Sequence, residues 1–156
     1  MTQFHFIAID TSIAHSLWDG GYDAYDQLPT IHTSDGDGIP CRHYLTLIPA
    51  DQDYLCFALK PFVGTNPYTE TGPAFLCAAP CDRATPSDAV PQVFASASYL
   101  RRGYSADERI VYGTGLVVPR DLIRARIAQL FENPRVAFVD LRSASNNCFQ
   151  ARAIRS

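Results

Sequence analysis

An α+β domain with a mainly antiparallel sheet is the fold this chain predicts, and three observations carry it. Short strand-like runs are numerous, helical patterning is confined to a short stretch near 41–48 and a longer amphipathic one near 120–131, and the late strands are joined by hairpin-length links. A regular strand–helix–strand alternation is missing. At 156 residues the expected organisation is a single domain over 1–156, with a strand and a long irregular excursion in 1–38 and the motif-bearing body in 39–156.

Phe4 to Ile9 alternates and contains aromatic and β-branched residues, which predicts a strand ending near Asp10. The next thirty residues hold Gly20-Gly21 and Ser34-Asp35-Gly36-Asp37-Gly38 and keep no period, so a surface excursion is expected; its SDGDG run is too short for a calcium loop. Pro40 suits the first position of a helix. Cys41, Leu45 and Ile48 then share a face at i, i+4 and i+7, which predicts a short helix from Cys41 to about Ile48. Tyr54 to Phe62 and Gly72 to Ala79 read as strands, and Thr85 to Pro91 as a loop.

The central hairpin is expected in Ser98 to Pro119, with arms Tyr99–Tyr104 and Arg109–Val118 joined through Ser105 to Glu108. A helix over Arg120 to Phe131 follows, opened by Pro119 and Asp121 and stopped by Asn133-Pro134. Its apolar stripe of Leu122, Ile123, Ile127, Leu130 and Phe131 predicts that it covers a sheet face. Val136 to Arg142 and Cys148 to Ile154 then form a closing pair of strands.

The composition, 47% hydrophobic and 19% charged, is that of an ordinary globular protein. Net charge is -3, but residues 1–90 carry 11 acidic and 3 basic side chains while 91–156 carry 5 and 10. Such a split favours attraction within the protein or between copies. With a pI near 5.7 nucleic acid is not an expected partner. The N-terminus has no secretory pattern and no apolar run is long enough to span a bilayer, so neither export nor membrane insertion is expected. Five cysteines, an odd number, predict free thiols and a cytoplasmic setting.

Cys41-Arg42-His43 is the most suggestive cluster. A helix start at Pro40 would put Cys41 where the dipole and a nearby cation lower a thiol pKa. The competing reading packs Cys41 inward, since free cysteine is among the most buried residue types. Cys77 and Cys81, with Cys41, His43 and Cys148, have the right chemistry for a soft metal. Their spacing is not that of zinc knuckles, so no metal or cofactor is expected. Glu70 and Thr71 offer a carboxylate and a hydroxyl in a turn. Gly113-Thr114-Gly115 lacks the third glycine of a dinucleotide loop and reads as a bulge or a point of close approach. Arg102, Arg109 and Arg142 converge if the strands align, and guanidinium groups bind carboxylate or phosphate in a two-pronged manner.

The motifs IPCRHYL at 39–45, PYTETGPAFLCAAPC at 67–81, YLRRGYSADERIVYGTG at 99–115 and RSASNNCFQAR at 142–152 resemble the bacterial family called domain of unknown function 1203. The resemblance brings no activity, substrate or cofactor with it. In the family's pattern a cysteine commonly stands at the position of Tyr44 and a histidine at that of Cys77, so this chain departs there. The expected function is binding of an anionic small molecule in a cleft between the short helix, the Glu70 turn and the central hairpin. Arg42, Thr71, Arg102, Tyr104, Arg109, Tyr112, Thr114, Arg142 and Asn147 would line it. In the enzymatic version Cys41 is the nucleophile of an acyl or group transfer, with His43 or Glu70 as proton acceptor. The alternative is a non-catalytic module acting through homodimerisation or partner docking.

Overall fold

The structure is a computed structural model that describes residues 3–156. Its elements are β1 (Phe4–Ile7), α1 (Thr11–Trp18), β2 (Thr30–Thr33), β3 (Asp53–Leu59), β4 (Gly72–Cys77), β5 (Ser98–Tyr104), β6 (Leu116–Pro119), α2 (Ile123–Phe131, entered through a 3-10 turn at Arg120–Leu122), β7 (Phe138–Ser143) and β8 (Phe149–Arg155). The sheets are antiparallel throughout and the fold is α+β, as expected. Among the described residues no helix is long and apolar enough to cross a membrane. The chain forms two compact units, one of Met1–Ile7, Phe62–Glu70 and Pro86–Ser156, the other of Ala8–Pro61 and Thr71–Thr85.

The first unit is a five-stranded sheet in the order β1-β8-β7-β5-β6. Alternation along its strands sends Tyr99, Val118, Val139, Leu141 and Ala153 to one face. There Ile123, Ile127 and Phe131 of α2 pack at i, i+4 and i+8 spacing, all of them buried. Each such side chain contributes about 1.5–3 kcal/mol by leaving water. The ring of Phe131 lies 5.6 Å from that of Phe4, so the helix also reaches the β1 edge. The opposite face carries Phe138, Asp140 and Arg142 of β7, Arg102 and Tyr104 of β5, and Arg152 of β8. Arg102 pairs with Asp140 across the β5–β7 ladder and Asp140 with Arg152 across the next, so the register alone sets charges in a row.

The second arm of the central hairpin is shorter than expected. Ile110 makes an isolated bridge to Tyr104, the chain turns at Gly113 (φ +89°), and only Leu116–Pro119 continues as a strand. Thr114 causes the interruption. Its buried hydroxyl accepts the Gly103 N–H at 2.9 Å and donates to the Val111 carbonyl, replacing ladder bonds with side-chain bonds. A Cβ on Gly103 would stand 3.2 Å from Thr114, so glycine permits the approach.

The second unit is a three-stranded sheet, β2-β3-β4, with helix α1. Here the short helix is displaced from its expected place. It is Thr11–Trp18, inside the stretch read as an excursion, and it buries Ala14 and Leu17. Residues 41–48 instead form a tight turn closed by a Pro40–Leu47 bridge. Leu45 adopts a φ of 56°, which ends helical geometry after one turn, and the Cys41 N–H is spent on the Thr46 carbonyl at 2.9 Å.

Candidate thiol site

In the second unit Arg42 donates its N–H to the Phe75 carbonyl at 2.9 Å, which sets the 41–43 turn beside the end of β4. Cys77 closes that strand and Cys81 follows four residues on, past Pro80. The three sulfurs of Cys41, Cys77 and Cys81 consequently lie within 4.8 Å of one another. Cys41 Sγ is 3.8 Å from Cys81 Sγ, and Cys81 Sγ is 3.5 Å from His43 Nδ1. Helix α1 holds the ring from two points. Thr11 Oγ1 is 3.0 Å from His43 Nε2 at its first turn, and at its end the Trp18 ring meets His43 edge-on at 5.5 Å. Trp18 Nε1–H also donates to the Cys77 carbonyl at 2.8 Å.

Among the three crowded thiols, Cys41 is the one favoured to ionise. A hydrogen bond from the Cys77 thiol outweighs burial there, and the backbone N–H groups of Cys77 and Tyr44 point at the same sulfur, each at 3.4 Å, so that the Cys41 pKa falls to about 5. Donating to that thiolate pushes the Cys77 thiol up. Burial and the Cys41 charge push Cys81 up to about 12. Burial lowers His43; the Cys41 charge opposes that shift and Arg83 adds to it. The sulfur with the charge is also the least accessible, since Cys41 is 0% exposed whereas Cys77 and Cys81 are half-buried.

Of the other residues expected at a site, Arg42 and Thr71 belong to this unit; Arg42 is buried, and the Thr71 carbonyl accepts from Tyr25. The remaining ones belong to the first unit, where Glu70 is the hub. Its carboxylate receives Arg102 Nη2 at 2.9 Å on both oxygens and Arg142 Nη2 at 2.5 Å. Arg102 Nε donates to the Tyr104 hydroxyl at 3.0 Å, and Arg142 Nη1 to the carbonyl of Asn147, whose φ is 57°. The structure thus brings Arg102 and Arg142 together, but around an internal carboxylate. Beside them Arg152 grips the fully buried Asp140 at 2.6 and 3.1 Å; burial pushes that carboxyl up while Arg152 pulls it down.

Arg109 does not join this group. It pairs with Asp107 at 3.5 Å over the ring of Tyr68, whose hydroxyl is 2.9 Å from that of the exposed Tyr112. Thr114 is structural, as described above. Thr11 is the functional candidate that reading the residues missed. Its signal was present in Asp10-Thr11-Ser12 before Ile13, Ala14 and Leu17, a helix start followed by two apolar turns.

Comparison with known proteins gives no match among curated proteins and none among solved structures. The model of the family described as Protein of unknown function (DUF1203) matches residues 38–155, and the chain belongs to that family.

Proposed function

We propose that the protein carries out thiol-dependent group transfer in its second unit, with Cys81 as the attacking sulfur and His43 as its proton acceptor. One observation carries this reading. Cys81 is half-buried and touches both the ring of His43 and the sulfur of Cys41, whereas Cys41, the nucleophile expected from sequence, is sealed from solvent. Cys81 rests protonated, held so by burial and the Cys41 charge, and therefore needs a base as it attacks; His43 Nδ1 lies 3.5 Å from its sulfur.

The step balances without oxidant or cofactor. Cys81 Sγ bonds to the carbonyl carbon of an activated acyl donor while its proton passes to Nδ1; the bond to the leaving group breaks, and that group takes the proton from the imidazolium. A second nucleophile then attacks the thioester and gives its proton to His43, and the departing Cys81 sulfur takes it back. The Cys41 charge favours the imidazolium formed in both halves. Arg83, two residues beyond Cys81, supplies positive charge in the same unit, which suits an anionic donor. Arg102 and Arg142, expected to grip that anion, already hold Glu70.

Alkylation by iodoacetamide, followed for each cysteine by peptide mass spectrometry, tests the assignment. Cys81 should react before Cys41, and His43→Asn should slow it about a hundredfold, the low end of what a positioned base contributes. First labelling at Cys41, or a Cys81 rate indifferent to His43→Asn, would sink the reading.

The non-catalytic alternative has one observation in its favour. Strand β2 is a sheet edge whose four residues are all exposed, Ile31 at 67%. Sedimentation of the wild type against Ile31→Lys tests it: a dimer lost in the variant supports association through this edge, and a wild-type monomer discards it.

A further inference from the structure

We propose that Cys41, Cys77 and Cys81, with His43 as the fourth ligand, form a binding site for a soft divalent cation of the zinc type. The inference does not rest on the group-transfer reading, because it uses Cys77, for which that reading has no chemical step.

The argument is geometric. Around a tetrahedral zinc with Zn–S about 2.3 Å and Zn–N about 2.0–2.1 Å, two sulfurs stand about 3.8 Å apart and a sulfur and a nitrogen about 3.5 Å. Cys41 and Cys81 are separated by 3.8 Å, and Cys81 Sγ and His43 Nδ1 by 3.5 Å. The third sulfur, Cys77, lies within 4.8 Å of the other two, whereas His43 Nδ1 stands close to Cys81 alone and outside that three-sulfur group, so its ring must turn inward as an ion is taken up. Ligands come as two chelating pairs, Cys41-x-His43 on a turn and Cys77-x3-Cys81 across a strand end. The two pairs are locked together by the Arg42–Phe75 backbone bond.

The supporting shell is also that of a metal site. A ligating histidine normally donates its second ring nitrogen to a fixed acceptor, and Thr11 occupies that place on His43 Nε2. Trp18 pins the Cys77 carbonyl and covers the ring. Backbone N–H groups of Tyr44 and Cys77 aim at Cys41 Sγ, the usual way in which thiolate charge is dispersed around an ion. Three thiolates and an imidazole select zinc or another soft ion over magnesium or calcium, whose sites are built from oxygen.

The test adds zinc to the metal-free, reduced full chain, with a chromophoric chelator as competitor, and repeats the titration with cobalt to read thiolate-to-metal charge transfer. The expected result is one ion per chain, a cobalt spectrum with sulfur charge-transfer bands, and protection of Cys81 from iodoacetamide by zinc. Cys77→Ser should weaken zinc by a factor on the order of a hundred. Circular dichroism of the metal-free variant should match that of the wild type, which shows that the variant is folded. A cobalt spectrum without sulfur bands in the wild type, or zinc that leaves Cys81 reactive, overturns the metal site and leaves group transfer standing. If Cys81 is inert in the metal-free chain yet zinc binds with sulfur bands, group transfer fails and the metal site stands.

Discussion

The two units each hold a polar cluster, and the clusters are satisfied in opposite ways. In the first unit opposite charges meet: Glu70 lies between Arg102 and Arg142, and Asp140 is clasped by Arg152. In the second unit like meets like. Two thiols crowd one thiolate, and both are driven away from ionising by it. A cluster that closes on itself holds a fold together, because any ligand must displace a partner already in place. One whose members oppose one another is relieved by a proton acceptor, an electrophile or a cation from outside.

The largest expected effect breaks the first cluster. Asp140→Asn removes the charge facing Arg152 and leaves a guanidinium in a site built for a pair, at a cost of about 3–5 kcal/mol. Urea unfolding followed by circular dichroism measures it. A loss under about 1 kcal/mol would mean that the aromatic rings around Arg152, with Phe138 at 3.9 Å, already carry its charge. Glu70→Gln sits nearer the surface, with Glu70 34% exposed on its side chain, so about 2 kcal/mol is expected. This substitution sharpens the contrast. With its internal anion neutralised, the Arg102–Arg142 pair becomes a free anion site, and sulfate should raise the melting temperature of the variant more than that of the wild type. Equal shifts would show that the pair never closed on Glu70 in solution.

How far each cluster was legible in the sequence follows from what made it. Arg102 and Arg142 fall on one sheet face by simple alternation, so their convergence was readable once the strands were placed. Their partner was not, because Glu70 reaches them from a turn whose path no periodicity records. Helix α2 was readable from its stripe and its Asn133-Pro134 stop. The turn at 41–48 was misread because Cys41, Leu45 and Ile48 imitate helical spacing, and nothing about a leucine announces a positive φ. The thiol cluster was set aside because its cysteines lack knuckle spacing. Spacing is informative only for ligands on one local segment, whereas here Cys41 comes from a turn 36 residues before Cys77.

In the second cluster the expected effect on stability is smaller and is read against pH. The Cys41 pKa is about 5 in the folded chain and about 8.5 unfolded, so the unfolded state holds more protons between those values. The stabilisation is complete above the unfolded value and is lost as pH falls through about 5. Cys77 and Cys81 are shifted the other way, so their contribution declines above the unfolded value. Stability from these thiols therefore peaks near pH 8.5, with an amplitude on the order of 1 kcal/mol because one charge is shared by three sulfurs. Cys41→Ala should flatten the acid limb in urea melts between pH 5 and 8; an unchanged slope would place the thiolate elsewhere.

The smallest effect belongs to a third kind of polar contact, in which neither frustration nor closure operates. Tyr112 is 77% exposed, and its hydroxyl bond to Tyr68 competes freely with water. The same bond raises the Tyr112 pKa, because the hydroxyl that donates it must keep its proton. Tyr112→Phe should leave the urea unfolding midpoint at the wild-type value, as a solvated surface change does, and leave the alkylation rate of Cys81 unmoved. Sulfate affinity should be equally indifferent, since Arg109 over the Tyr68 ring is neutralised by Asp107. A clear fall in that midpoint would show that the Tyr68–Tyr112 pair clamps the Glu70 turn, and the line drawn between architectural and solvated contacts in the first unit would move outward to include it.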